Sequence, residues 1–582
     1  MSEIEYIVCL NKGVDYDQFW HEMENNTSGL QYIPDRAVSI VNNRDLSERI
    51  CNYALTANEA DVLSKDHRIA CVSLVADPKL RVLHQTQNNS FSRYAGTPGA
   101  STLVNWGLRR CILQTLETPQ GTSYTYSLDG TGIDIVINDN GVMRGHPEFN
   151  DENGVTRLQE IDWFAASGIS GTMPAGHYGD VGDHGTHTAA IAAGLTYGWA
   201  KNARIYSCRY DLFNSAPSSL ELIKGWHLNK PIDPATGKKR PTIVCQSWGY
   251  VGSYNNAGFT SGVITQRTYR GVTTTTSTTD TAVGMVGPTH NFTYTPDDVL
   301  QQELTDAGII CVRAAGNNSH KIEETSGTDW NNNYHFSVTW HGLIAAGQPI
   351  YYHRKGSPYS SDTILVANGG TPGYLGLEIL NSTSDRGPGV DITAPGTYIT
   401  SATNTNGFPG SNTHYIENNI GLVANITATG GKSGQNVITT TSTTGVVVGQ
   451  VITGYGIPGL TIVQSIIANT SITISQSLIY DAQNVYYFYS PSAYYIARIS
   501  GTSAAAPQVA GVLALFLQTC PDATPAECKK WLANFGSVDN SLNTTSLNND
   551  YTDVHSILGQ TRKYLYSPFN NDVAFSQTTG NM

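Results

Sequence analysis

Three short runs of the chain, Ile133 to Ile137, Thr242 to Cys245 and Ile309 to Val312, are apolar almost without alternation. A strand with one face in water alternates polar and apolar residues; a strand covered on both faces need not. Between and after these runs lie helix-like stretches: one opens at His184 and continues through Ala189, Ala190, Ala192, Ala193 and Leu195, and another spans Val299 to Ala307. Ala203 to Cys208 reads as a further strand. Strands alternating with helices predict an α/β domain, a parallel sheet covered by helices on both faces. Ligands of such sheets sit at the carboxyl ends of the strands. Asp139 and Asn317 fall just beyond two of those ends.

Three polar groups stand out in this frame. Ser503 precedes Ala504 to Leu515, which is apolar nearly all round and predicts a buried helix. Pro507 is expected near the start of that helix, where its missing N–H costs little. Ser503 is thereby placed at a helix N-terminus, where backbone N–H groups favour developing negative charge. His184 opens a helix within Asp183-His184-Gly185-Thr186-His187, and Asp139 ends a strand within Ile137-Asn138-Asp139-Asn140-Gly141. Asp134 lies inside that strand and is the less suited carboxylate. A nucleophile, a base and a carboxylate that orients the base are what a serine hydrolase needs. His184 and His187 have a spacing that permits two metal ligands, but no Glu-x-x-His partner or third ligand is evident. Asn317, after Ala314-Ala315-Gly316, carries an amide suited to stabilising an oxyanion.

These motifs resemble those of the subtilisin-like serine proteases. The order Asp, His, Ser is that of subtilisin. Gly501-Thr502-Ser503-Ala504-Ala505-Ala506-Pro507 is similar to the family's nucleophile signature, and Gly145-His146-Pro147-Glu148-Phe149 to the segment that follows its aspartate. The resemblance implies catalytic roles for Asp139, His184, Ser503 and Asn317, with His187 structural. It implies that Ser247, Trp248 and Gly249 pair a substrate backbone as an added strand, and that Ala314, Ala315 and Gly316 help line the first pocket. Trp248 stands where many relatives have a smaller residue; it reads either as a pocket wall or as core. Ser384 to Gly396 is similar to a loop and strand with a structural role. The substrate implied is a peptide or protein, and no cofactor is required. Calcium sites are common in the family, and Glu148 stands where an Asp ligand is often found. No complete ligand set is evident, so calcium stays an option and no metal site is assigned.

The domain reading follows. Residues 1–84 form a small α/β unit: strands at Tyr6–Leu10, Ala37–Val41 and Ile69–Val75, a helix from Asp15 to Met23, and a second opening at Leu55–Ala60 with Thr56 and Glu59 at capping-box spacing. This resembles the family's ferredoxin-like propeptide domain, which implies that the unit inhibits its own catalytic domain; the other reading is an unrelated accessory domain. Residues 85–103 are a polar linker. Residues 104–401 and 495–540 make the catalytic domain. A Thr/Ser run from Thr273 to Thr279 marks a surface excursion. Residues 402–494 are a β-rich insertion, where compact relatives have a short gap. It resembles β modules of bacteriophage virion and other surface proteins; a plain decorating insertion is the alternative. Residues 541–582 are a polar, Asn-rich, extended C-terminal extension.

Composition narrows the rest. A net charge of −13 argues against a nucleic-acid surface. No run approaches 18 uncharged apolar residues, which argues against a membrane helix. The opening Met1–Leu10 is too short and too poor in basic residues for a signal peptide. The location is left between the cytoplasm and a virion. Nine cysteines without CxxC spacing read as buried thiols, with Cys520 and Cys528 the pair to test for a bridge. Three readings of function remain: a serine endopeptidase that processes itself and other chains, an enzyme that acts once on its own linker, or a structural or binding protein, as of a phage particle, built on the same scaffold.

Overall fold

The chain falls into two compact units, Met1–Leu83 and His84–Met582. The architecture is that of a computed structural model. It describes most residues from 3 to 570; the longer stretches left out are 75–84, 89–104, 114–122, 254–263, 338–345, 371–377, 404–413 and 543–550, with 571–582. Most of the expected linker and much of the C-terminal extension therefore lie outside the described residues.

The first unit alternates strand, helix, strand, strand, helix, strand. Its antiparallel sheet runs Ile40–Asn43, Ile50–Leu55, Ile4–Leu10, Ile69–Leu74, the ferredoxin-like arrangement. The helix Tyr16–Glu24 is capped by Asp15, and Ala57–Leu63 by the expected Thr56/Glu59 capping box. The strand expected at Ala37–Val41 is instead Ile40–Asn43, and the central strand Ile50–Leu55 was not anticipated. Leu55 belongs to that strand because Thr56, the helix cap, is still extended. Arg68 ties the end of the unit together through Asp66 (2.8 Å) and Glu22 (2.7 Å).

The second unit is built on a nine-stranded sheet. Its order is Ser537–Asp539, Lys563–Leu565, Ile392–Pro395, Ile364–Gly369, Ile310–Ala314, Thr242–Gln246, Asp134–Asp139, Arg204–Arg209, Leu158–Gln159. All pairings are parallel except the first, between Ser537–Asp539 and Lys563–Leu565. The two-residue period of a strand sorts its side chains into two cores. Ile135, Ile137, Ile243, Cys245, Ile310 and Val312 face the helices His184–Ala193 and Thr502–Thr519. Val136, Val244 and Cys311 face the helices Ser219–Asn229 and Thr295–Asp306. From Asp134–Asp139 the sheet grows to one side through Arg204–Arg209, and from Thr242–Gln246 to the other. The chain thus reverses direction between these two neighbours, a topological switch point where a site is expected.

Several expectations are corrected. Pro507 is the sixth residue of Thr502–Thr519 and lies inside the helix, not at its first turn. The helix expected from Val299 begins at Thr295, with Pro296 in its opening turn. The Thr/Ser run is at the surface, as expected, and belongs partly to a hairpin, Ile264–Tyr269 with Val272–Thr274, in a four-stranded sheet. Gln85–Asn88, taken as linker, pairs antiparallel with Ser123–Tyr126. Lys563–Leu565, taken as extended tail, enters the main sheet beside Ile392–Pro395, and Tyr564 and Leu565 are fully buried. Apolar side chains in a polar tail are what seat it there. Cys520 and Cys528 are free thiols, as are the buried Cys208, Cys245 and Cys311. The thiol of Cys528 points instead to the Ala523 carbonyl, at 3.9 Å.

The inserted region leaves by the strand Ile399–Thr403 and returns by Tyr494–Ile499, which pair antiparallel with Thr403 opposite Tyr495. His414–Glu417 adds a third strand. Beyond them a six-stranded antiparallel sheet carries its own apolar core, including Ile426, Ile438, Ile472 and Phe488.

Candidate active site

Asp139 is the last residue of its strand and is buried. Its Oδ1 accepts the Asn140 N–H at 2.8 Å, which fixes the carboxylate. Its two oxygens lie 2.9 and 3.0 Å from His184 Nδ1. Asn140 also braces the histidine from the other side, because its Oδ1 accepts the Gly185 N–H at 2.9 Å. Gly185 must be glycine: a Cβ there would drive into the Gly141 carbonyl. Burial disfavours the His184 imidazolium, but the Asp139 carboxylate outweighs it, so the pKa of His184 is raised above the ordinary histidine value. Asp180 adds to that rise and hydrogen-bonds Thr186 in the same first turn. Asp183 lies outside the described residues.

Ser503 is the second residue of its helix, after Gly501 and Thr502. Its backbone N–H is among those at a helix start with no partner in the helix. Asn317 is tied to the same turn: its Oδ1 accepts from the Thr502 N–H at 2.9 Å and the Thr502 hydroxyl at 3.1 Å. That leaves its Nδ2 as the free-facing end. A Cβ on Gly501 would lie 3.1 Å from Ser503 Oγ and 3.3 Å from Asn317 Nδ2, so the bare glycine keeps open the space both groups face. The loop behind Asn317 hangs on Asp385, which is fully buried. Its Oδ1 accepts the N–H groups of Asn318 (2.8 Å) and His320 (2.9 Å), and its Oδ2 the Asn291 amide at 2.7 Å. Burial pushes the Asp385 carboxyl up to about 6 despite these donors. Asp385, anticipated only as part of a structural loop, is thus what orders the Asn317 turn.

The interior Pro507 has a local consequence. Lacking an N–H, it cannot bond the carbonyl four residues back, which is that of Ser503. Ser247 supplies the missing donor: its hydroxyl reaches the Ser503 carbonyl at 3.0 Å. Trp248 stacks on Tyr210 with ring centres 4.9 Å apart, and its Nε1 donates to Asn138 Oδ1 at 3.0 Å. Trp248 and Gly249 line a cavity of about 360 Å³ together with Tyr210, Phe213, Tyr250 and Asp297. Trp248 is partly buried and walls this cavity. Ala314 and Ala315 are buried, Gly316 is partly exposed, and Asn317 is exposed. Sequence reasoning did not single out Asp297, Tyr250 or Tyr210, since nothing local in the chain says that they converge.

The remaining candidates have structural partners. His187 is buried, and its Nε2 lies 3.0 Å from the Ile399 carbonyl and 3.3 Å from that of Ala497, bridging the two strands that flank the insertion. Asp134, at the far end of the Asp139 strand, pairs with Lys230 and Arg240, each at 2.9 Å. Glu148, at the position of a calcium ligand in relatives, has its Oε2 accepting the N–H groups of Thr196 (2.7 Å) and Tyr197 (3.2 Å). The carbonyls of Leu195 and Gly198 in the same loop are taken by the Lys201 ammonium, at 2.9 and 2.8 Å. No group of three or more His, Cys, Asp or Glu that could hold a metal ion occurs among the described residues, and no helix among them is long and apolar enough to cross a membrane.

A family model described as Subtilase family (Peptidase_S8) matches residues 130–553. The chain is similar to the extracellular serine proteinase of Thermus sp. (strain Rt41A), 31% identical over 134 residues, 23% of this chain and 29% of that protein. It is similar to the alkaline proteinase of Hapsidospora chrysogena, 29% identical over 143 residues, 24% of this chain and 32% of that protein. The match thus spans about a third of the length of these relatives. Among solved structures it is similar to a cold adapted subtilisin-like serine proteinase, with 19% identity and a TM-score of 0.40, covering 79% of this chain and 97% of that one.

Proposed function

The chain belongs to the subtilase family, and from that premise we propose that it is a serine endopeptidase with Ser503 as nucleophile. His184 takes the proton of the Ser503 hydroxyl as its oxygen attacks the scissile carbonyl. Asp139 holds the imidazole through Nδ1 and stabilises the imidazolium that forms. The negative oxygen of the tetrahedral intermediate is met by the Asn317 amide and the Ser503 N–H. His184 then returns the proton to the leaving amine, and the acyl group stays on Ser503. Water, deprotonated by the same histidine, releases it. The route draws on side chains and backbone alone, and its substrate is a peptide or protein.

The observation that carries this reading is the double contact of the Asp139 carboxylate with His184 Nδ1, set at the switch point of the sheet. The chain also cuts itself within residues 85–103, with 1–84 acting as the inhibitor of the rest. The test is intact-mass spectrometry of wild type and Ser503→Ala, each with and without a serine-directed phosphonylating probe. Wild type is expected to take up one probe and to be cut within 85–103; Ser503→Ala is expected to stay whole and unlabelled. Equal labelling of both proteins rules out Ser503 as the nucleophile, and an uncut but labelled wild type rules out self-processing only.

A further inference from the structure

The cavity beside Trp248 has aromatic walls and one unmatched acid. Tyr210, Phe213, Trp248 and Tyr250 contribute rings, Leu220 an apolar side chain, and Asp297 a carboxylate from the first turn of its helix. Asp211 borders the same space, but Arg209 pairs with both of its oxygens. Asp297 has no ion pair among the described residues; its Oδ2 accepts one hydrogen bond, from the Tyr250 hydroxyl at 2.9 Å. Burial raises the pKa of the Asp297 carboxyl, the Tyr250 hydroxyl opposes this, and Glu221 nearby adds to it. The local field is therefore negative, with no cation among the described residues paired with Asp297.

Such a cavity discriminates by charge. A cationic guest gives the half-buried carboxylate the partner it lacks, through a charge-assisted hydrogen bond. The faces of Trp248, Tyr210 and Tyr250 attract the same cation. A neutral apolar guest fills the space but leaves the acid with a single hydroxyl donor, and an acidic guest is repelled. The volume of about 360 Å³ suits one long side chain.

The cavity is also in line with the nucleophile. Trp248 and Gly249 directly follow Ser247, whose hydroxyl holds the Ser503 carbonyl. The Trp248 ring is held by Asn138, the neighbour of Asp139. A polypeptide passing Ser503 along this segment brings one of its side chains to the cavity mouth. We propose that the cavity takes a lysine or arginine side chain of the substrate, with Asp297 as the group that sets this specificity. The inference rests on the peptidase reading above.

The experiment is a peptide series of one sequence in which each position near the scissile bond carries in turn lysine, norleucine or glutamate. It is offered to the wild-type chain, to Asp297→Asn and to Asp297→Lys. At one position, wild type is expected to favour lysine over norleucine in kcat/KM by on the order of tenfold, the usual scale of a charged hydrogen bond. Asp297→Asn brings that ratio close to one, and Asp297→Lys turns the preference towards glutamate. Each ratio is taken within one protein, so a change in the folded fraction cancels. No lysine preference at any position in wild type, or an undiminished one in Asp297→Asn, overturns the inference while leaving a peptidase. Hydrolysis of none of the peptides, with no uptake of the phosphonylating probe, overturns the peptidase reading and the inference with it.

Discussion

Replacing Asp139 by asparagine removes a charge while keeping the shape. Both carboxylate oxygens lie within hydrogen-bond distance of His184 Nδ1, at 2.9 and 3.0 Å. In the transition state the imidazole becomes an imidazolium facing that carboxylate. At about 4 Å between charge centres and an effective dielectric constant of about 20, the attraction is about 4 kcal/mol. Each 1.36 kcal/mol is about a factor of ten in rate, so Asp139→Asn should lower kcat by about 10³-fold. The pH profile moves too, and its sign is fixed. The base works only when neutral, so wild-type kcat/KM rises with pH through a His184 pKa above the ordinary value. Without the carboxylate, burial, the largest influence, lowers that pKa against only the smaller pull of Asp180. The acid limb of Asp139→Asn should therefore move to lower pH while the rate falls. The assay is kcat/KM on a fluorogenic peptide across the pH range in which both proteins stay folded. Asp134→Asn is the control, because its partners are Lys230 and Arg240 at the other end of the strand; it should lower the thermal midpoint and leave the acid limb in place. A loss below tenfold, or an acid limb that does not move down, refutes the role given to Asp139.

Gly316→Ala should cost stability and slow phosphonylation of Ser503 together, by roughly 2–4 kcal/mol in the first case. Gly316 has φ +123°, and a Cβ there would collide with Asp385 Oδ2 and the Asn291 amide; an unchanged melting midpoint speaks against that crowding. Lys201→Met should lower stability by about 2–3 kcal/mol, since it strips a charged donor from two loop carbonyls. Chelator should leave the wild-type midpoint unmoved, since the Lys201 ammonium takes the Leu195 and Gly198 carbonyls; a chelator-dependent fall would show that calcium does hold the chain. Acid should destabilise the protein through buried histidines. Burial lowers the pKa of His177, His227 and His353 to about 4 from 6.5. The unfolded chain binds more protons between these values, so stability should fall as pH drops from about 6.5 to about 4. Melting curves across that window check it, and His353→Gln should flatten the slope.

Much of this architecture is legible in the chain because its signals are local. The doubly apolar strands announce a sheet covered on both faces, and Thr56 with Glu59 three residues on announces a helix start. Ser503, His184 and Asp139 are each flagged by glycines and a neighbouring strand or helix. What was not legible depends on convergence. Asp297 looks like an ordinary acid in the first turn of a helix until Tyr210, Trp248 and Tyr250 close around it. Asp385 reads as loop polarity until three donors from Asn291, Asn318 and His320 meet it. Pro507 was misplaced because a proline inside a helix is costly unless another group serves the orphaned carbonyl, and Ser247, more than 200 positions away, is not a neighbour any local rule inspects. The tail was misread on composition: its polar average hides Tyr564 and Leu565, which join the sheet.

The strands Ile399–Thr403 and Tyr494–Ile499 lie side by side, with Thr403 facing Tyr495. Whatever the chain does between them, it must come back to within one strand spacing of where it left. For such an excursion the entropy of closing the loop grows only with the logarithm of its length, about 0.6 kcal/mol for each doubling. Once the clasp exists, a long detour is thus nearly as cheap as a short one, and the His187 ring fastens both strands of the clasp to the helix that begins at His184. The detour can be lengthened, shortened or exchanged for another fold over evolutionary or laboratory time. The return strand still delivers Ser503 four residues beyond its own end, at the start of the same helix.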